Sequence, residues 1–170
     1  ISNPQAVIFA DSFNRYFEPE NLRAAVRVLE SANVSLKVAA APKGERPLCC
    51  GRTFLSAGLV EEAKIEARRL IEALLPYARD GIPIIGLEPS CLLTLRDEIP
   101  SLLPGKDTEL LASQARMLEE YIADQEGNES FTIPLQSPAS KIMLHGHCHQ
   151  KAMGMMSSIE KTLSLLPDTA

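Results

Sequence analysis

The stretch Ile82-Pro83-Ile84-Ile85-Gly86-Leu87-Glu88-Pro89-Ser90-Cys91 decides the fold. Its first half, Ile82 to Leu87, is a short apolar run of the kind that forms a strand buried on both faces. Gly81 closes whatever helix precedes it, and the chain then turns polar at Glu88. A cysteine follows at the start of a short helix, Leu92 to Asp97. Strand, polar thiol loop, helix is the repeating step of an α/β protein.

The same step recurs outward in both directions. Upstream, a long helix is predicted from about Ser56 to Arg79, with Leu59, Ala63, Ala67, Leu70, Ile71 and Leu74 on its inner face. Before it lies an irregular loop marked by Pro42, Gly44 and Pro47, and before that a strand, Val34 to Ala39. A helix opens at Pro19, where proline costs no hydrogen bond, and carries Leu22, Ala25, Val26 and Leu29 at helical spacing. The first strand is Ala6 to Ala10, followed by a polar and aromatic loop, Asp11 to Glu18. Downstream, Asp107 to Asp124 reads as one amphipathic helix with Leu110, Leu111, Leu118, Tyr121 and Ile122 on one side. Gln125 to Ser130 is a polar connection, Lys141 to His145 a fourth strand, and Gln150 to Leu166 mostly helix with Ile159, Leu163 and Leu166 as core candidates. The expected architecture is α/β: a mostly parallel sheet flanked by helices, in Rossmann-like right-handed βαβ units. In open sheets of this kind ligands bind beyond the carboxyl ends of the strands. Ser12, Cys49, Cys50, Cys91 and Cys148 should therefore gather on one edge, at one site or two adjacent ones.

Composition narrows the function. The chain has 170 residues, 45% of them hydrophobic, enough for one good core or one domain with part of a second. A net charge of -5 gives a phosphate backbone nothing to bind, which excludes nucleic acid as a partner. No apolar run reaches the ~18 residues of a membrane span. No secretory signal is present. Four cysteines are too sparse for a secreted disulfide scaffold, and clustered thiols in a reduced compartment point to metal or redox chemistry. The chain starts at Ile1 and stops at Ala170 shortly after a helical pattern, so it reads as a piece of a longer protein.

Cys49 and Cys50 are adjacent and precede Gly51. One trans peptide holds neighbouring residues closer than an ordinary disulfide prefers. Two side-by-side thiolates suit a soft metal ion, or two irons of one cluster, and Gly51 lets the backbone pass close to the sulfurs. Cys91 at a helix N-terminus is a small buried hydrophobe or a thiol whose ionisation that position assists. His145, His147 and His149 surround Cys148 and raise the zinc option, although each is equally a cap or a backbone partner. Glu88 is favoured as a structural acceptor over a ligand. Arg52 either stabilises thiolate charge or pairs with an acid such as Glu88. Met153, Met155 and Met156 are read as core filler. The cysteine spacing matches neither ferredoxin nor zinc-finger patterns, so spacing alone leaves the metal undecided.

Taken together, Cys49-Cys50-Gly51, Ser56-Ala57-Gly58, Glu88-Pro89-Ser90-Cys91 with Leu95-Arg96-Asp97-Glu98, and His145-Gly146-His147-Cys148-His149 resemble the cysteine-rich CCG domain. That domain occurs in the B subunit of heterodisulfide reductase, the C subunit of anaerobic glycerol-3-phosphate dehydrogenase, the glycolate oxidase iron–sulfur subunit and lactate-utilisation proteins. Phe9 to Pro19 is similar to the C-terminal part of fused flavoproteins of the D-lactate and D-2-hydroxyacid dehydrogenase type. The resemblance implies oxidation at FAD in a domain or subunit outside this chain, then electron relay through an iron–sulfur centre of 4Fe-4S type to a quinone or an electron carrier. It implies Cys49, Cys50, Cys91 and Cys148 as cofactor ligands, with His147 and His149 as second-choice metal ligands. It implies a first CCG-type unit over residues 1–135 and the start of a second over 136–170. The fullest family pattern has a cysteine where this chain has Ser12, and a C-x-x-C where it has Glu88-Pro89-Ser90-Cys91. These departures count against a five-cysteine, noncubane cluster. The expected protein is cytoplasmic or peripheral to the inner membrane, and this piece alone should not turn over substrate. Two rivals stand beside it: a zinc-binding or metal-free structural domain that docks subunits, and a thiol–disulfide enzyme using Cys49 and Cys50.

Overall fold

A computed structural model describes residues 3–137 and 141–168. The extreme ends, Ile1-Ser2 and Thr169-Ala170, on which the reading of the chain as a piece rests, lie outside the described residues. Among the described residues are four strands, β1 (Ala6–Ile8), β2 (Leu36–Val38), β3 (Ile84–Gly86) and β4 (Ala115–Met117). The helices are α1 (Ser12–Tyr16), α2 (Pro19–Ser31), α3 (Arg52–Ser56), α4 (Val60–Arg79) and α5 (Pro89–Arg96). They continue with α6 (Glu98–Leu102), α7 (Lys106–Gln114), α8 (Leu118–Ala123), α9 (Cys148–Ala152) and α10 (Met156–Leu163).

The strands form one all-parallel sheet in the order β2-β1-β3-β4. The fold is thus α/β, as the alternation of strand and helix predicts. Side chains of neighbouring strand residues point to opposite faces, and the two cores follow that alternation. Val7, Phe9, Ile84, Ala115 and Met117 pack with Leu70 and Leu74 of α4, Leu92 and Leu95 of α5, and Leu111 of α7. Ala6, Ile8 and Ile85 pack with Leu29 of α2 and Tyr121 of α8. Burial on both faces explains why β1 and β3 are continuous apolar runs. At ~1.5–3 kcal/mol per fully buried large side chain, these layers supply most of the driving force.

Helix ends set where the strands begin. At the end of α4 the Ile82 N–H donates to the Tyr77 carbonyl (2.9 Å) and the Gly81 N–H to Ala78 (3.1 Å). Gly81 sits at φ 72°, the left-handed conformation this cap requires. The chain leaves α4 reversed and, after the four residues 80–83, enters β3.

Four expectations fail. Lys141 to His145 is not a strand; Met143 is 92% exposed there, and the place beside β3 belongs to β4. Asp107 to Asp124 is not one helix, because β4 interrupts it. The Glu120 carboxylate accepts the Met117 N–H (2.9 Å) and two hydrogen bonds from Arg96 (2.9 and 2.8 Å), which holds the extended turn open between α7 and α8. The helix predicted from Ser56 starts at Val60 instead, after the one-turn α3 and a reversal through Gly58, and Leu59 is exposed. Ile159, Leu163 and Leu166 are half-buried rather than core; Met155 is the residue of that region that enters the main core.

Candidate functional site

A strand order of 2-1-3-4 has its reversal between β1 and β3: the chain moves outward to β2, then crosses back. The loops after these strands diverge there and leave a crevice. Each contributes a short capped element. Asp11, buried at the end of β1, accepts the N–H groups of Phe13 (2.9 Å) and Asn14 (3.0 Å) and the Asn14 side-chain amide (2.7 Å). This cap turns the predicted loop into α1 and fixes Ser12 as its first residue. After β3, Glu88 caps α5 by accepting the Ser90 N–H (3.1 Å), with Pro89 in the first turn and Cys91 behind it. The structural role expected of Glu88 is the one observed.

The loop after β2 brings in the thiol pair. Leu48 is buried in the core, and Gly51 adopts φ 82° against α4. A Cβ on Gly51 would lie 2.9 Å from the Ala63 carbonyl oxygen, so only glycine fits this close approach. The upstream part of the loop is gripped by Arg69 of α4, which donates to the Arg46 carbonyl (2.5 Å) and to Glu66 (2.8 Å). The Glu66 side chain, 2% exposed, also pairs with Arg46.

Ser12, Cys49, Cys50 and Cys91 line one cavity of about 580 Å³, together with Phe13, Phe17, Arg52 and His149. All four cysteines are free thiols. The neighbouring Cys50 side chain, and then burial, hold the Cys49 thiol far above its ordinary range. The Cys49 side chain favours the Cys50 thiolate, but Cys91 and burial outweigh it and push Cys50 up to about 12. These protons stay on sulfur at neutral pH unless a cation replaces them.

Arg52 forms the side wall. It pairs with Glu98, not with Glu88, and its Nη2 lies 3.3 Å from His149 Nε2. His149 therefore reaches the cavity with Nε2 already engaged. His147 caps α9, its Nδ1 accepting the His149 N–H (3.2 Å), and it lines a different cavity with His145 and Glu119. Cys148 is exposed and is not among the residues lining the thiol cavity. The structure thus brings together Cys49, Cys50, Cys91 and His149, and sets Cys148 and His147 apart. The Arg69–Glu66 grip on the loop carries no sequence motif of its own.

The donor set bears on what could bind. A single zinc ion takes donors arranged around one point. Among the described residues, no three His, Cys, Asp or Glu side chains are so arranged. The soft donors lining the cavity are the three thiols Cys49, Cys50 and Cys91, the ligand type that iron–sulfur clusters take. Among the described residues, no helix is long and apolar enough to cross a membrane.

Comparison with known proteins sets the chain beside one kind of dehydrogenase component. It is similar to the C subunit of anaerobic glycerol-3-phosphate dehydrogenase of Escherichia coli K12, 25% identical over 151 residues, covering 88% of this chain and 36% of that protein. The same protein of E. coli O157:H7 matches to the same extent. The chain spans about a third of the length of these curated relatives. No protein-family model and no solved structure matches it.

Proposed function

We propose that this chain is the iron–sulfur electron-transfer region of an FAD-linked D-2-hydroxyacid dehydrogenase, of D-lactate or glycolate type. The observation that carries the reading is that Cys49, Cys50 and Cys91, with Ser12, line one cavity at the crevice between β1 and β3. Similarity to one subunit of a dehydrogenase supports an electron-transfer role within a larger assembly. Cys49, Cys50 and Cys91 would hold a 4Fe-4S type cluster, whose chemistry is to accept and pass single electrons. The chain's own residues prepare the site. Gly51 and Arg69 fix the thiol pair, Asp11 fixes Ser12, and the paired Arg52 supplies a positive wall beside an anionic centre. Phe13 and Phe17 form the apolar rim, on the side where an FAD domain or an electron acceptor, quinone or carrier, would approach. Cys148, with His147, opens a second unit over residues 136–170 and serves a centre completed elsewhere in the full protein, while His149, on the thiol cavity, remains a second-choice ligand there.

Anaerobic purification of the full-length protein tests this. The expected result is bound iron and acid-labile sulfide, with absorbance near 400 nm that bleaches on addition of a D-2-hydroxyacid. Zinc in place of iron would support the structural, subunit-docking alternative. Full-length protein with neither metal would overturn the proposal.

A further inference from the structure

Several of the large apolar side chains that this chain leaves in water surround the mouth of the thiol cavity. On α1 and its cap, Phe13, Tyr16 and Phe17 are 46, 61 and 74% exposed, and the Phe13 and Phe17 rings lie 6.0 Å apart. Spacings of three and four residues put them on one side of the helix. Phe13 and Phe17 line the cavity, and so do Thr53 and Ser56 of α3. The turn that leaves α3 presents Leu59 and Val60, 45 and 41% exposed. Met153, 40% exposed, lines a second cavity that shares Arg52, Ser90 and His149 with the first.

Size decides what such a surface meets. The three aromatics alone, at ~150–250 Å² each, leave about 350 Å² in contact with water. Leu59, Val60 and Met153 carry the apolar total past ~450 Å², the non-polar share of one side of a standard ~800 Å² protein interface. Composition agrees, since interface centres are rich in aromatics, Met and Arg and poor in Lys, Asp and Glu. Arg15 is the sole charge in α1, and no charged residue occurs from Thr53 to Val60. Acids return at the border, at Glu18, Glu61 and Glu62, as a polar rim. We infer that this surface is a permanent interface with the flavin-bearing domain or subunit, the electron donor, rather than with the acceptor, an assignment that rests on the electron-relay reading above. An acceptor must leave after each turnover, and transient redox partners bury the smallest interfaces, below ~1,200 Å² in total. A donor need never leave. Two electrons cross from the reduced flavin one at a time, its two protons pass to solvent, and each electron reduces the iron–sulfur centre by one.

Full-length protein, purified anaerobically, tests this in two ways. In the first, the photo-crosslinking analogue p-benzoylphenylalanine takes the place of Phe17, and mass spectrometry maps the cross-links. They should fall on peptides of the flavin-bearing part. Cross-links confined to a second copy of the same segment, or none at all, would overturn the assignment. In the second, Phe17→Asp and Leu59→Asp are mixed rapidly with a D-2-hydroxyacid. Flavin reduction should keep its wild-type rate while bleaching near 400 nm slows about ten-fold, and dithionite should still bleach the centre fully. Bleaching at the wild-type rate in both variants would overturn the assignment. Unchanged bleaching with slowed reoxidation would also overturn it and give the surface to the acceptor. If either variant fails to fold, the cross-link decides. Iron-free protein in which the Phe17 position still cross-links to the flavin-bearing part would overturn the functional reading and leave the interface in place. Wild type free of flavin would overturn both.

Discussion

Replacing Arg69 by alanine should loosen the thiol pair from a distance. Arg69 lies on α4, yet it holds the Arg46 carbonyl at 2.5 Å, the Glu45 carboxylate at 3.5 Å and the Glu66 carboxylate at 2.8 Å. Glu66 is almost fully buried, and its second partner, Arg46, is 61% exposed. Removing one partner of a buried ion pair costs ~3–5 kcal/mol, because a charge is left uncompensated in a low dielectric. Arg46 still neutralises part of that charge, so about 3 kcal/mol is expected. For a chain of this length ~1 kcal/mol moves Tm by ~2–4 °C, giving a drop of about 6–12 °C. Glu66→Gln should cost less, ~1–2 kcal/mol, since Arg46 reaches solvent and Arg69 keeps the Arg46 carbonyl and the Glu45 carboxylate. Urea and thermal denaturation followed by circular dichroism measure both. Alkylation of Cys49, read by mass spectrometry, should accelerate in Arg69→Ala as the loop opens. A loss under ~1 kcal/mol, with unchanged Cys49 labelling, would refute the claim that this buried pair positions the thiols.

Gly51→Ala should destabilise by ~1–3 kcal/mol, since it combines a left-handed φ of 82° with a 2.9 Å approach to the Ala63 oxygen; denaturation midpoints report it. Asp11→Ala should cost ~2 kcal/mol through the lost cap and the unpaired Asn14 amide, and should raise hydrogen exchange across α1. In metal-free chain at pH 8, iodoacetamide should label exposed Cys148 first and leave Cys50 and Cys91 protected. The Cys50 thiol, pushed up to about 12, gains thiolate only as pH rises toward that value, so its labelling should increase steeply on the alkaline side. Equal labelling of all four at pH 8 would contradict this order of burial.

Much of this architecture could be read from local pattern, and the failures share a cause. β1 and β3 are legible because both of their faces are buried, so Ala6-Val7-Ile8 and Ile84-Ile85 are uninterrupted apolar runs. β4 is three residues, Ala115-Arg116-Met117, with an arginine in the middle; so short a strand has no period to detect. Its pairing with β3 is decided by tertiary contact, and by Glu120 bonding back to Met117. Lys141 to His145 has the composition of a strand but no vacant place beside β3. At the site, the thiols announce themselves by residue type. Ser12 is legible by its place after the first strand and by the family resemblance, and the structure puts it in the same cavity as the thiols. Arg69, by contrast, reads as one more solvated charge on an amphipathic helix until its backbone grips appear.

The order β2-β1-β3-β4 also governs how the site comes into being. Ser12, Cys49-Cys50 and Cys91 lie in three segments separated by about forty residues each. Loops of that length must close before any two of them meet, so their encounter is a late, non-local event in folding. An unfolded chain offers a metal only the adjacent pair. Anything that grips all three segments at once binds the folded state alone, and its binding energy becomes stability of the sheet. Loading the site and locking the fold are then one thermodynamic step. For such a ligand the crevice between β1 and β3 would act as a checkpoint: a misassembled sheet would have no place to hold it.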